Sequence, residues 1–182
     1  MMYSNGASIS GHMRHLAVAA CLGGHVDLLR FAIESDDSPA LSSLKPIALR
    51  AGRLCVVQVL FEKGVISKFK ARDMRLAVAT GRVDLVAFLL DSSSHGMVAE
   101  AFKQATTQCQ IALLKWLCTT YNEPLYWRIA LQVAVADLQH DVIAYFATTH
   151  NLHITPDEAA RVHRRRKRHD EDAPTRQTRS RN

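Results

Sequence analysis

Residues 22–33 read LGGHVDLLRFAI and residues 79–90 read ATGRVDLVAFLL. Near-copies of this kind constrain the fold more than any single residue does, because a repeated unit must pack against copies of itself. Taking Ala77 as an anchor, equivalent alanines fall at Ala20, Ala48, Ala105 and Ala134, with successive spacings of 28, 29, 28 and 29 residues. Four positions after each anchor stand Gly24, Gly52, Gly81, Cys109 and Leu138. Seven after come Asp27, Cys55, Asp84, Ala112 and Asp141. Eight and nine after come Leu28–Leu29, Val56–Val57, Leu85–Val86, Leu113–Leu114 and Val142–Ile143, all aliphatic. Eleven after come Phe31, Val59, Phe88, Trp116 and Tyr145, a bulky apolar residue in each unit.

Each column has a physical reading. The residues before the anchor are apolar at helical spacing, as in Leu16, Ala19 and Ala20 or Ala130, Val133 and Ala134, which predicts a short first helix with small residues where neighbours approach. The glycine supplies the left-handed backbone that ends a helix. An acid in the first turn of a second helix complements its macrodipole, and the run V-x-L-L-x-F-A-I buries a broad apolar face. The unit is helix, tight turn, helix. One such unit cannot bury its own face, so the chain is expected to be all-α, with about five units stacked as a solenoid.

The segments G-H-V-D-L-L-R-F-A-I and G-R-V-D-L-V-A-F-L-L resemble the second half of the ankyrin repeat, over about residues 12–155. The period is shorter than the usual unit of about 33 residues, so the hairpin between neighbours is expected to be shortened or absent. The T-P-L-H opening is missing from the five units, and only Thr155-Pro156 matches its start. In the fourth and fifth units Cys109 and Leu138 replace the glycine, leaving the apolar spacing to carry the likeness. Longer two-helix repeats such as TPR and HEAT are the structural alternative. The expected organisation is a flexible N-terminus over 1–11, an ankyrin-like solenoid with a C-terminal capping helix over 12–168, and a disordered tail over 169–182.

The resemblance implies a non-enzymatic scaffold that binds a partner protein on a concave face lined by the first helices and their loops. The variable columns there lie two residues before the anchor (Val18, Pro46, Arg75, Lys103, Gln132) and two after it (Leu22, Arg50, Ala79, Thr107, Ala136). Arg50, Arg75 and Lys103, in adjacent units, form a basic stripe suited to an acidic partner segment, or else a solvated charged surface; Thr107 shares that face. In Tyr126-Trp127-Arg128, at the entrance to the fifth first helix, one aromatic is expected to cap the fourth unit. The other would stand out as an interface anchor, placing Trp127 and Arg128 on the partner surface.

No motif of a hydrolase, phosphate-binding loop, zinc protease or EF-hand is present, and no cofactor is expected. His12-x-x-His15 and His150-x-x-His153 lack further ligands at metal spacing. The four cysteines, Cys21, Cys55, Cys109 and Cys118, form no C-x-x-C pair and no disulfide framework, which suits a reducing compartment; Cys109 and Cys118 read as packing residues. No apolar run reaches membrane-helix length and no leader pattern opens the chain. A monomer in the cytoplasm or nucleus, of its own or of a host cell, is expected.

The charge is unevenly placed. Residues 161–182 hold nine Lys/Arg against three Asp/Glu, whereas residues 1–160 hold fourteen of each. The whole excess of +6 therefore sits in the tail. Thr155, Pro156 and Glu158 make a helix-starting sequence. Beyond it Arg164, Arg165, Arg166, Lys167 and Arg168 are dense enough for nuclear import or for nucleic-acid phosphate contacts. Nucleic-acid binding through this run is the alternative function, and a solubilising tail the plainest reading.

Overall fold

The computed structural model describes residues 6–35, 41–93, 96–153, 155, 156 and 160, with residues 6–11 and 42 by backbone only. Among them the chain is all-helical: ten α-helices, one short 3-10 turn and no strand. The helices are α1 (Gly6–Gly23), α2 (Val26–Glu34), α3 (Leu44–Ala51), α4 (Leu54–Glu62), α5 (Ala71–Ala79), α6 (Val83–Asp91), α7 (Met97–Thr107), α8 (Ile111–Thr120), α9 (Pro124–Ala136) and α10 (His140–Thr149). They pack as five consecutive pairs. The odd-numbered helices also pack in an unbroken row, α1 on α3, α3 on α5, α5 on α7 and α7 on α9.

The anchor alanines make that row possible. Ala20, Ala48, Ala77, Ala105 and Ala134 are all buried, and a methyl group lets neighbouring helix axes approach where a longer side chain would hold them apart. Each pair is closed by the turn four residues on. Gly24, Gly52 and Gly81 adopt φ of 82°, 65° and 67°, and Cys109 and Leu138 take the same left-handed conformation at 53° and 55°. All five turns thus share one geometry, including the two that lack glycine. In the first, fourth and fifth units the anchor's carbonyl accepts from the N–H five residues on: His25 to Ala20 at 3.0 Å, Gln110 to Ala105 and Gln139 to Ala134 at 2.8 Å each. These bonds use helix-end acceptors that would otherwise lack partners.

Side chains from one turn cross to the next. Arg53 lies over Gly24, Arg82 over Gly52 and Gln110 over Gly81, each close enough that an added Cβ on the glycine would meet it at 3.3 Å. The α4–α5 connection turns inward, burying Ile66 and Phe69, and Phe69 stacks on Phe61 at 5.6 Å. Lys45 of α3 pairs with the nearly buried Asp73 of α5. Asp73 also accepts the Lys70 backbone N–H at 2.8 Å, capping α5.

Several expectations need correcting. Helix α1 starts at Gly6, inside the 1–11 segment assigned to a flexible N-terminus; Gly6-Ala-Ser-Ile-Ser-Gly contains no proline to stop a helix propagating back from the packed part of α1. Leu28 and Phe31, in columns expected to be buried, are 46% and 56% exposed. Their equivalents Val56 and Val59 are buried. The positions eight and eleven after the anchor face the preceding unit, and α2 packs on α1 and α4, away from that side. Cys109 is exposed rather than packed. At the C-terminal end Pro156 and Ala160 are helical; Glu158 and the rest of the expected capping helix lie outside the described residues, as does the 169–182 tail.

Candidate functional site

The row of odd-numbered helices presents the surface on which the partner-binding residues were expected. Arg50, Arg75, Lys103, Thr107 and Arg128 are all exposed. Arg75 and Thr107 come together: with Leu76, Ala79, Gln104 and Gln108 they line a shallow cleft of about 670 Å³ between α5 and α7. Arg75 and Thr107 belong to different columns, two before and two after the anchor. They meet because neighbouring helices run side by side, with the C-terminal end of α7 lying beside the middle of α5, as the bond from Gln108 to the Arg75 carbonyl shows. Lys103 precedes Gln104 of the cleft lining on α7. Arg50 stands on α3, one helix further along the row.

The cleft's backbone is pinned from the following turns. Gln108 donates its side-chain amide to the Arg75 carbonyl at 3.2 Å, and Gln139 donates to the Thr107 carbonyl at 3.1 Å. Gln104 is held by Glu100 at 2.7 Å. These contacts leave the ends of the Arg75 and Thr107 side chains uninvolved in holding the floor. The glutamines were missed by sequence reasoning. Gln108 and Gln139 stand three and five residues after their anchors; the first column is mixed, but the second is polar in every unit (His25, Arg53, Arg82, Gln110, Gln139), a signal that could have pointed to side chains crossing to the preceding turn.

The aromatic pair at the start of α9 behaves differently from expectation. Tyr126 stacks on Phe102, with ring centroids 5.5 Å apart, and so caps the fourth unit. Trp127 is not held out as an anchor. It is half-buried, its ring 4.2 Å from that of His150, and its indole Nε1 is buried without a hydrogen-bond partner. The residues after α10 fold back to close this end: the His150 ring also meets Phe146 and Tyr145, and the Tyr145 hydroxyl lies 3.2 Å from His150 Nε2. Burial lowers the His150 pKa below its ordinary value. Burial, then Cys118, pushes the Tyr145 phenol up to about 12. This end of the array is a packed aromatic cluster.

Among the described residues no group of three or more His, Cys, Asp or Glu side chains is placed to hold a metal ion. Nor is any helix long and apolar enough to cross a membrane. Arg164, Arg165, Arg166, Lys167 and Arg168 lie outside the described residues. Comparison of the chain with protein-family models, curated proteins and solved structures finds no match.

Proposed function

We propose that the chain is a divergent ankyrin-like solenoid acting as a non-enzymatic protein-interaction module, with the α5–α7 cleft at the centre of its binding face. The observation that carries this reading is the cleft itself. Two residues from variable columns, Arg75 and Thr107, converge there on a floor fixed by glutamine-to-backbone hydrogen bonds. A surface held in place before binding loses little ordering entropy on association. The exposed Arg50, Arg75 and Lys103 would make an acidic segment of a partner the favoured ligand, because like charges are rejected and opposite ones steered in. Function is inferred here from the site, since a repeat architecture alone fixes none.

The test is to identify a partner by crosslinking in the native cell, purify it, and titrate it against the wild-type chain and an Arg50→Ala, Arg75→Ala, Lys103→Ala variant. The variant should keep its circular dichroism spectrum and bind at least about tenfold more weakly. Equal binding would move the interface off this face. A second reading is favoured by one observation, the confinement of all excess positive charge to residues 161–182. In that reading Arg164–Arg168 engage the import machinery or nucleic-acid phosphates. Duplex-DNA affinity falling steeply between 50 and 200 mM salt, and abolished by deleting residues 161–182, would support phosphate contact. Loss of nuclear accumulation of a large fluorescent fusion on the same deletion would support import.

A further inference from the structure

In the interior of the array, the side of each unit that faces its predecessor is covered. Phe88, eleven after its anchor, meets Phe61 of the preceding unit edge-on at 5.8 Å. Tyr145, in the same column, lies under Lys115 of its predecessor, with Nζ 5.9 Å from the ring centre. Among the described residues no unit precedes α1 and α2, and this side of the first unit is bare. Leu28 and Phe31 are 46% and 56% exposed there. Ala19, one before its anchor, is exposed as well, whereas its equivalents Ile47, Leu76, Gln104 and Val133 are all half-buried. Two helices therefore share one uncovered apolar face. The charged side chains of α2 are drawn off it: Arg30 pairs with Glu62 at 3.4 Å and Glu34 with Lys63 at 2.6 Å, both towards the following unit.

The stretches outside the described residues are poor covers for this face. Helix α1 rises about 20 Å between Gly6 and Ala19, and residues 1–5 span at most about 18 Å when extended. Leu28, beside the last turns of α1, is beyond their reach. Residues 36–40 and 161–182 contain no leucine, isoleucine, methionine or aromatic residue. The far end of the array is unlike this one. Positions ten and fourteen after the anchor face the following unit, as the Arg30 and Glu34 pairs show. On α10 those positions hold Ala144 and Thr148, both small and exposed. A head-to-tail joint would set Phe31 against these short side chains, whereas a second α1–α2 face offers it bulky apolar partners.

We propose that two copies of the chain associate through this face, α1–α2 against α1–α2 about a two-fold axis. The contact continues the interface that already joins neighbouring units, with the second copy standing where a preceding unit would. A two-fold contact uses the same patch on both copies and closes, whereas a head-to-tail contact would propagate. Burial of Leu28 and Phe31 from each copy supplies the driving force. The dimer takes the place of the monomer expected from the sequence. Its interface lies at one end of the array and leaves the α5–α7 cleft open, so it stands independently of the function proposed for that cleft.

Sedimentation velocity of the full-length chain between about 10 µM and about 1 mM, the range suited to a small interface, should show monomer passing to dimer and nothing larger. Leu28→Gln combined with Phe31→Gln, both at exposed positions, should keep the circular dichroism spectrum and raise the dissociation constant at least about tenfold. In ¹⁵N spectra of the wild-type chain, concentration-dependent shifts should fall on Ala19 and residues 25–31 and spare α10. Monomer at every concentration would overturn the proposal and leave the face to a different partner. Dimerisation untouched by the double substitution would place the contact elsewhere. Species growing beyond the dimer, with shifts at both ends, would replace the two-fold contact by a head-to-tail one. Deleting residues 161–182 should leave the dimer intact; its loss would assign association to the tail instead. Should the double variant misfold, the wild-type shift map decides between these outcomes.

Discussion

The five turns offer an internal experiment on backbone strain, because three carry glycine and two do not at the same left-handed φ. A left-handed conformation costs an L-residue roughly 1–2 kcal/mol, whereas glycine adopts it freely. Against this, replacing glycine by alanine reduces the entropy of the unfolded chain, returning about 0.4–1 kcal/mol. Gly64, at φ 72° with nothing within 4 Å of an added Cβ, isolates these two effects, so Gly64→Ala should destabilise by about 1 kcal/mol. Gly81→Ala should match it, since the added Cβ meets only the flexible end of Gln110. Gly52→Ala should cost about 2 kcal/mol, because the new methyl would also press at 3.3 Å on the Thr80 Cβ and Cγ2 and the Arg82 Cδ in a buried site. The reverse change, Cys109→Gly, should stabilise by about 0.5 kcal/mol, as the exposed thiol contributes little packing. Leu138→Gly should come out near neutral, since its half-exposed side chain gives up some burial. Urea denaturation with a shared m-value measures each difference as a shift in midpoint. If Cys109→Gly proves as destabilising as Gly81→Ala, strain at this column is not what distinguishes the glycine turns.

Leu85, fully buried at the centre of the array, should lose about 2–5 kcal/mol on substitution by alanine, and the exposed Arg82–Asp84 pair far less, as paired urea curves would show. Asp73→Ala should cost about 2 kcal/mol by the same measurement, since it removes the α5 cap and strands the partly buried Lys45. An aromatic disulfide reagent should label Cys55 and Cys109 in the folded chain, whereas Cys21 and Cys118, buried with thiols pushed up to about 11, should react only after unfolding. His150 has its pKa lowered by burial, so the unfolded chain binds its proton more readily. Its contribution is present above the unfolded value near 6.5 and is lost as pH falls through that value towards the folded one. Thermal melts should therefore weaken between pH 7.5 and 5.5, and His150→Gln should flatten that dependence; an unchanged slope would remove His150 as its source.

The sequence by itself determined the local architecture. Period, helix faces and turn positions are carried by residues within one unit, and spacing reports them because helix geometry and left-handed turns are short-range. It also placed Arg50, Arg75, Lys103 and Thr107 on the exposed side of the first helices, since a column's orientation repeats with the unit. What it left undecided depends on contacts between units and at the ends. That Cys109 and Leu138 keep the glycine geometry follows from the anchor carbonyls capturing the Gln110 and Gln139 amides. Leu28 and Phe31 are exposed because their column needs a neighbour on the preceding side, which an interior unit has. Trp127 turned inward because His150, some twenty residues later, folds back onto it. The α5–α7 cleft exists only once neighbouring helices lie side by side. Residues about 30 apart in the chain then share one wall, and a pattern read within one repeat carries no information about that meeting.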